Sequence, residues 1–153
     1  MQRENSLSPD MDASSPEIYF RIPGKVVPKQ STRFYNGHCV PQKRVTEYAK
    51  KVKAAYIAEY PFNCVLWANK EPLEVTINIY MAVPKSASKK KRDHMILYER
   101  PTKTPDLDNC CKSVLDSCKG LIFGDDCHIV SLTSDKFWNE EDWVEVTIRE
   151  IKK

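Results

Sequence analysis

The chain has 153 residues, a formal net charge of +3, 41% hydrophobic and 29% charged residues, which is one domain with a real core, too short for two, and of ordinary soluble composition. The overall charge does not announce a nucleic-acid binder, so the distribution of charge must carry that argument. No apolar run approaches the ~20 residues of a membrane helix, and MQRENSLSPDMDASSPE at the N-terminus has no apolar segment after its first base; neither a membrane span nor a signal peptide is read, and a cytosolic protein is expected.

Residues 1–16 are polar, with two prolines, and read as a disordered lead-in to a domain over residues 17–153. In EIYFRIP, Ile18, Phe20 and Ile22 alternate with polar positions, which predicts a half-buried strand. The stretch from Gly24 to Arg44 carries Lys25, Lys29, Arg33, Lys43 and Arg44 and no acid. Asn36-Gly37 is a hairpin-turn signal that pairs Arg33-Phe34-Tyr35 with His38-Cys39-Val40. A basic hairpin carrying Phe34 and Tyr35 suits a phosphate backbone and unstacked bases, although a solvated basic loop has the same composition.

Val45 to Tyr60 predicts a helix, with Thr46 as cap and Pro61 as stop. Residues 61–72 predict a loop holding Cys64 and Trp67. Leu73 to Val83 is the cleanest strand, with Leu73, Val75, Ile77, Ile79, Met81 and Val83 on one face. Pro84 to Arg100 then predicts a basic loop, its positive run comprising Lys85, Lys89, Lys90, Lys91 and Arg92. Such a run is commonly just solvated, but this one leads directly into the acidic stretch that follows.

That stretch, PDLDNCCKSVLDSCKGLIFGDDCH, places Asp106, Asp108, Asn109 and Lys112 at the front of a helix, and Asp125-Asp126 beyond an apolar run and Gly124. Like charges held close together need a cation or a proton, and a carboxylate-only set suits a hard cation, Mg²⁺ or Mn²⁺. With Pro105 favouring extended geometry, Asp106 and Asp108 are expected to point the same way, Asp108 to cap the helix, and Asp126 to return toward its start. A purely structural use is the competing reading: Asp108 as cap, Asp125-Asp126 as turn, Asp106 solvated. Six cysteines contain no C-x-x-C pair and are read as small buried hydrophobes rather than zinc ligands. Two final strands, from Ile129 to Phe137 and from Trp143 to Ile151, are expected to be joined as a hairpin by Asn139 to Asp142. The fold class expected is α+β: a mostly antiparallel sheet of about four to six strands with two main helices.

Pro105, Asp106, Asp108, Asn109, Lys112 and Asp116, then an apolar run and Asp125-Asp126, resemble the signature of the RusA-like Holliday junction resolvases of phages and prophages. Val27, Pro28, Lys29, Gln30, Arg33, Phe34, Gly37 and Pro41 also match that family's basic segment, with Ser31-Thr32 standing where the family often has Arg-Pro, and PKSASKKKR is similar to its basic stretch before the acids. The resemblance spans about residues 17–151. It implies a Mg²⁺-dependent endonuclease, with Mn²⁺ able to substitute, that cuts four-way DNA junctions as a homodimer in recombination and repair. Asp106, Asp108 and Asp126 would ligate the metal, Lys112 would act on the transition state or the attacking water, and Asn109 and Asp125 would support the ligands. Lys29, Arg33, Lys85, Lys89, Lys90, Lys91 and Arg92 would contact DNA. Two other classes stay open: a nuclease for flaps, replication forks or other branched DNA, and a non-catalytic junction-binding protein.

Overall fold

The computed structural model describes residues 16–30, 33–61 and 66–152. The predicted lead-in (Pro16 apart) and Cys64 lie outside them. The described chain runs β1 (Glu17–Pro23), β2 (Arg33–Tyr35), β3 (His38–Val40), α1 (Lys43–Glu59), β4 (Leu73–Ala82), α2 (Lys89–Tyr98), α3 (Leu107–Cys118), a 3-10 turn at Asp126–His128, β5 (Ile129–Asn139) and β6 (Trp143–Glu150). The main sheet has the order β1-β6-β4-β5. Its β1/β6 and β4/β6 pairs are antiparallel and its β4/β5 pair is parallel. The class is α+β, as expected.

Period-two patterning decides which face of the sheet is covered. Ile18, Phe20 and Ile22 of β1, the odd residues of β4, and Val144, Val146 and Ile148 of β6 are all buried. They face α1, which contributes Tyr48, Val52 and Tyr56 at helical spacing, and α3, which contributes Cys110, Cys111, Val114 and Cys118. Each such aliphatic side chain stabilises the fold by roughly 1.5–3 kcal/mol. On the other face Tyr80 stacks on Phe137, Arg21 lies over Trp143 and Arg100 over Phe137.

Three expectations are corrected. β5 and β6 follow one another through a short loop, yet they do not pair, because β4 lies between them. The most apolar strand takes the centre, where both its edges are satisfied. The loop clasps its end: Val83 N–H donates to Asn139 O at 2.9 Å and Ala82 N–H to Asp142 Oδ1 at 2.9 Å. The basic loop after Pro84 is largely a helix. Ser88 caps α2 by accepting from Lys91 N–H at 3.3 Å, and no Gly or Pro interrupts residues 89–98, so the lysines act as helix formers. Thr46 lies inside α1 rather than capping it, and its hydroxyl donates back to Gln42 O at 3.4 Å.

The cysteines divide. Cys110, Cys111 and Cys118 are buried, while Cys39 and Cys127 are exposed, against expectation. Burial pushes the Cys110 and Cys118 thiols up to about 12 and raises Cys111 as well. A thiol kept protonated is a poor nucleophile. Brief iodoacetamide treatment of native protein, read by peptide mass mapping, should label Cys39 and Cys127 and spare Cys110, Cys111 and Cys118; fast labelling of Cys118 would contradict this packing.

Candidate active site

The acids sit where α3 begins. Asp106 occupies the N-cap position, with extended backbone (φ −68°, ψ 136°) and no capping hydrogen bond from its side chain. Asp108 lies within the first helical turn, where a carboxylate is favoured by the helix dipole. The cap is therefore two residues earlier than the sequence suggests. This shift has a geometric consequence. Two residues apart in an extended segment would point alike, but one extended and one helical residue diverge.

The carboxylates accordingly open onto two neighbouring cavities. One, of about 470 Å³, is lined by Asp108, Lys112 and Asp116, which follow one another at four-residue spacing on α3, and by Asp126, Cys111, Ser134 and Leu132. The apolar run Leu121-Ile122-Phe123 explains how Asp126 arrives there. Ile122 and Phe123 are buried, Phe123 bridges to Trp67, and the 3-10 turn then places Asp126 opposite the helix. The other cavity, of about 410 Å³, is lined by Asp106 and Asn109 together with Lys25, Lys29, Gln30 and Arg44. Asp108, Asp126 and Lys112 are thus brought together, and Asp106 stands around the helix end from them. Among the described residues, no three His, Cys, Asp or Glu side chains form a group that could hold a metal ion.

Asp125 is engaged locally. It caps the 3-10 turn through Cys127 N–H at 3.3 Å and meets Lys119 at 3.6 Å. A hydrogen bond with Asp126, then those two neighbours, hold its carboxyl down at about 2. Lys29 places its Nζ 2.6 Å from Asp116 Oδ2, while its N–H donates to Asn109 O at 2.9 Å, tying the basic segment to α3. Of the other predicted DNA-binding residues, Arg33, Lys85, Lys89, Lys90 and Lys91 are exposed, and Arg92 is drawn to Glu140 at 3.2 Å. Three lysines in the first turn of α2 oppose its dipole, which concentrates positive charge at that helix start.

Lys136 of β5 has a role that the sequence does not suggest. Its Nζ donates to Lys103 O at 2.6 Å and Pro105 O at 3.0 Å, so it holds the backbone that leads into Asp106. Arg100 fastens the start of the same segment, donating to Lys136 O at 3.0 Å and lying 3.7 Å from Asp135. A lysine amid an otherwise strand-like run is the available signal, and it does not say which distant carbonyls are served. Lys25 and Arg44, beside Asp106, are likewise legible only as members of a basic stretch.

In Bacillus subtilis (strain 168), the protein named "Uncharacterized protein YqaN" is 41% identical over 85 residues, covering 52% of this chain and 58% of that protein, so the chain spans somewhat over half of that relative's length. The family model for endodeoxyribonuclease RusA matches residues 23–149, from the end of β1 into β6, and so takes in both cavities, α3 and the Lys136 clamp. The chain belongs to the RusA endodeoxyribonuclease family.

Proposed function

We propose that this protein is a Mg²⁺-dependent endodeoxyribonuclease that resolves four-way DNA junctions in recombination and repair, acting as a homodimer. The observation that carries the reading is the joint lining of one cavity by Asp108, Asp126 and Lys112, next to a cavity that combines Asp106 with Lys25, Lys29 and Arg44. Acids that would repel a phosphate stand beside bases that attract one. The donors are all carboxylate oxygens, which fits a hard divalent cation. Asp108 and Asp126, which line one cavity, would hold it; Asp106, whose carboxylate is not spent on capping, opens onto the neighbouring cavity and would join them only by turning its side chain around the helix start. The cation would supply Lewis acidity toward the scissile phosphate and a water acidic enough to attack it.

The chain's own residues do the rest. Lys112, one turn from Asp108, places a positive charge where the transition state gathers negative charge. Lys25, Lys29 and Arg44 orient the strand by its phosphates. Asp125 and Asn109 buttress the ligands on either side of the helix start. A two-fold dimer presents two matched sites to the symmetry-related strands of a junction.

The test is a cleavage series on a synthetic four-way junction, a flap, a fork and linear duplex, in Mg²⁺, Mn²⁺ and EDTA. Paired nicks in the junction, dependent on metal, are expected. Equal cutting of flaps and forks would shift the substrate to branched DNA in general, and tight binding with no cutting under any divalent metal would leave a junction-binding protein. The lysines of α2 carry a further expectation. Changing Lys89, Lys90 and Lys91 together to Ala should weaken junction binding and flatten its salt dependence by roughly one unit of log K per log salt for each phosphate no longer neutralised. A slope unchanged from wild type, in gel shifts across a salt series, would make them a merely solvated helix start.

A further inference from the structure

We propose that the Arg33–Val40 hairpin and the first turn of α1 form a second DNA subsite, which takes an unstacked base against Phe34 and Tyr35 and its phosphate on Arg33, Lys43 and Arg44. The proposal rests on the nuclease reading and adds how the DNA is held open. Phe34 is 79% and Tyr35 71% exposed. Every residue of β2 and β3 is exposed. An isolated two-stranded ribbon is marginal by itself, and Phe34 and Tyr35, neighbours on β2 and both largely exposed, each line the same groove. The turn at Asn36 (φ 49°) and Gly37 (φ 78°) fixes the register Phe34↔Cys39 and Tyr35↔His38, so the aromatics are presented on an ordered hairpin.

Charge identifies the occupant. The groove beside these rings, about 460 Å³, is lined by Arg33, Lys43 and Arg44 and, among the described residues, by no acid, and its volume lies within the range of about 300–1,000 Å³ for small-ligand sites. Of the three cations, Lys43 lies 3.8 Å from Glu47 with both side chains mostly exposed, a weak tie that a phosphate can displace. Arg44 also lines the cavity that contains Asp106. A single arginine therefore joins the aromatic groove to the cavity of Asp106, at the start of α3, and one DNA strand can follow that basic track with a phosphate near the helix start and a neighbouring base at the hairpin. Flat π faces with cations alongside are the means by which proteins hold unstacked bases without reading sequence.

The experiment uses the full chain in EDTA, with four-way junctions carrying 2-aminopurine at the branch point. Wild type should raise the emission as the base leaves its stack. The Phe34→Ala/Tyr35→Ala double variant should abolish that rise and bind about tenfold or more weakly, while keeping the wild-type salt slope, because neither ring carries charge. Phe34→Trp should retain the emission change. A double variant with wild-type affinity and emission, in a protein that still cuts junctions, would overturn this subsite alone. A double variant whose sedimentation shows an altered oligomeric state would overturn it too, by making the hairpin an interface between copies. Wild-type protein that neither binds nor cuts branched DNA would refute the nuclease reading first.

Discussion

Asp108→Asn is expected to abolish cutting while leaving junction binding intact or slightly tighter. The side chain is exposed in the first turn of α3, so the substitution removes a helix-dipole interaction worth about 0.3–1 kcal/mol and no packing. The fold should survive. The variant lacks one negative charge and one cation ligand, and single-turnover cleavage should fall by about a thousandfold or more, because positioning of the ion controls both attack and departure. Binding without metal should respond in the opposite sense. A neutral side chain repels the phosphate less, by on the order of 1 kcal/mol after screening at an effective dielectric near 20. In EDTA the variant should bind as tightly as wild type or a few-fold tighter, and Asp126→Asn should behave alike because it lines the same cavity. A gel-shift titration in EDTA beside a Mg²⁺ time course reads both effects. Near-wild-type cutting would remove Asp108 from the chemistry, and a well-folded variant that loses binding would make the acid structural.

What the sequence reveals, and what it hides, follows from the range of the interactions involved. The β2/β3 hairpin is encoded in two adjacent residues, Asn36 and Gly37, and is readable in position and register. The core face of β4 is encoded in its own alternation. The return of Asp126 toward α3 is readable because a short apolar run and a turn connect them. By contrast, placing β4 between β5 and β6 is a competition among strands that no local pattern records, and a three-residue loop imitates a hairpin well. The shift of the cap from Asp108 to Asp106 is a two-residue matter, small in the fold, yet it decides that Asp106 opens onto the basic cavity rather than beside Asp108. The α2 helix is hidden because charge run and helix share the same residues: three lysines look like a loop until the Ser88 cap is recognised.

Lys136 is the least legible part of the site and supports the second large expectation. The segment from Arg100 to Pro105 contains two prolines, so it cannot lie in a sheet ladder, and its carbonyls must find donors elsewhere. Lys136 Nζ supplies two of those bonds, to Lys103 O and Pro105 O, the latter immediately before Asp106. Burial raises the Cys110 thiol at the helix start, and the Lys136 charge, lying close by, partly opposes that rise while Asp106 and Asp108 add to it. Lys136→Met keeps the alkyl stem and removes the ammonium. Hydrogen bonds from charged donors contribute about 1.5–3 kcal/mol each, so a lower melting temperature is expected. The larger effect should be on chemistry, because a displacement of about 1 Å at a reacting group costs on the order of a hundredfold. Assayed well below its melting transition, the variant should cut junctions about a hundredfold more slowly at saturating protein, need more Mg²⁺ for half-maximal rate, and bind the junction in EDTA within a few-fold of wild type. Lys119→Met, whose ammonium meets Asp125 at 3.6 Å on the exposed side of the turn, is the comparison and should change these quantities far less. If Lys136→Met cuts at the wild-type rate with an unshifted Mg²⁺ midpoint, the two bonds fasten the loop without setting the position of Asp106; if it loses binding and rate in equal proportion, Lys136 touches the DNA rather than holding the acids in place.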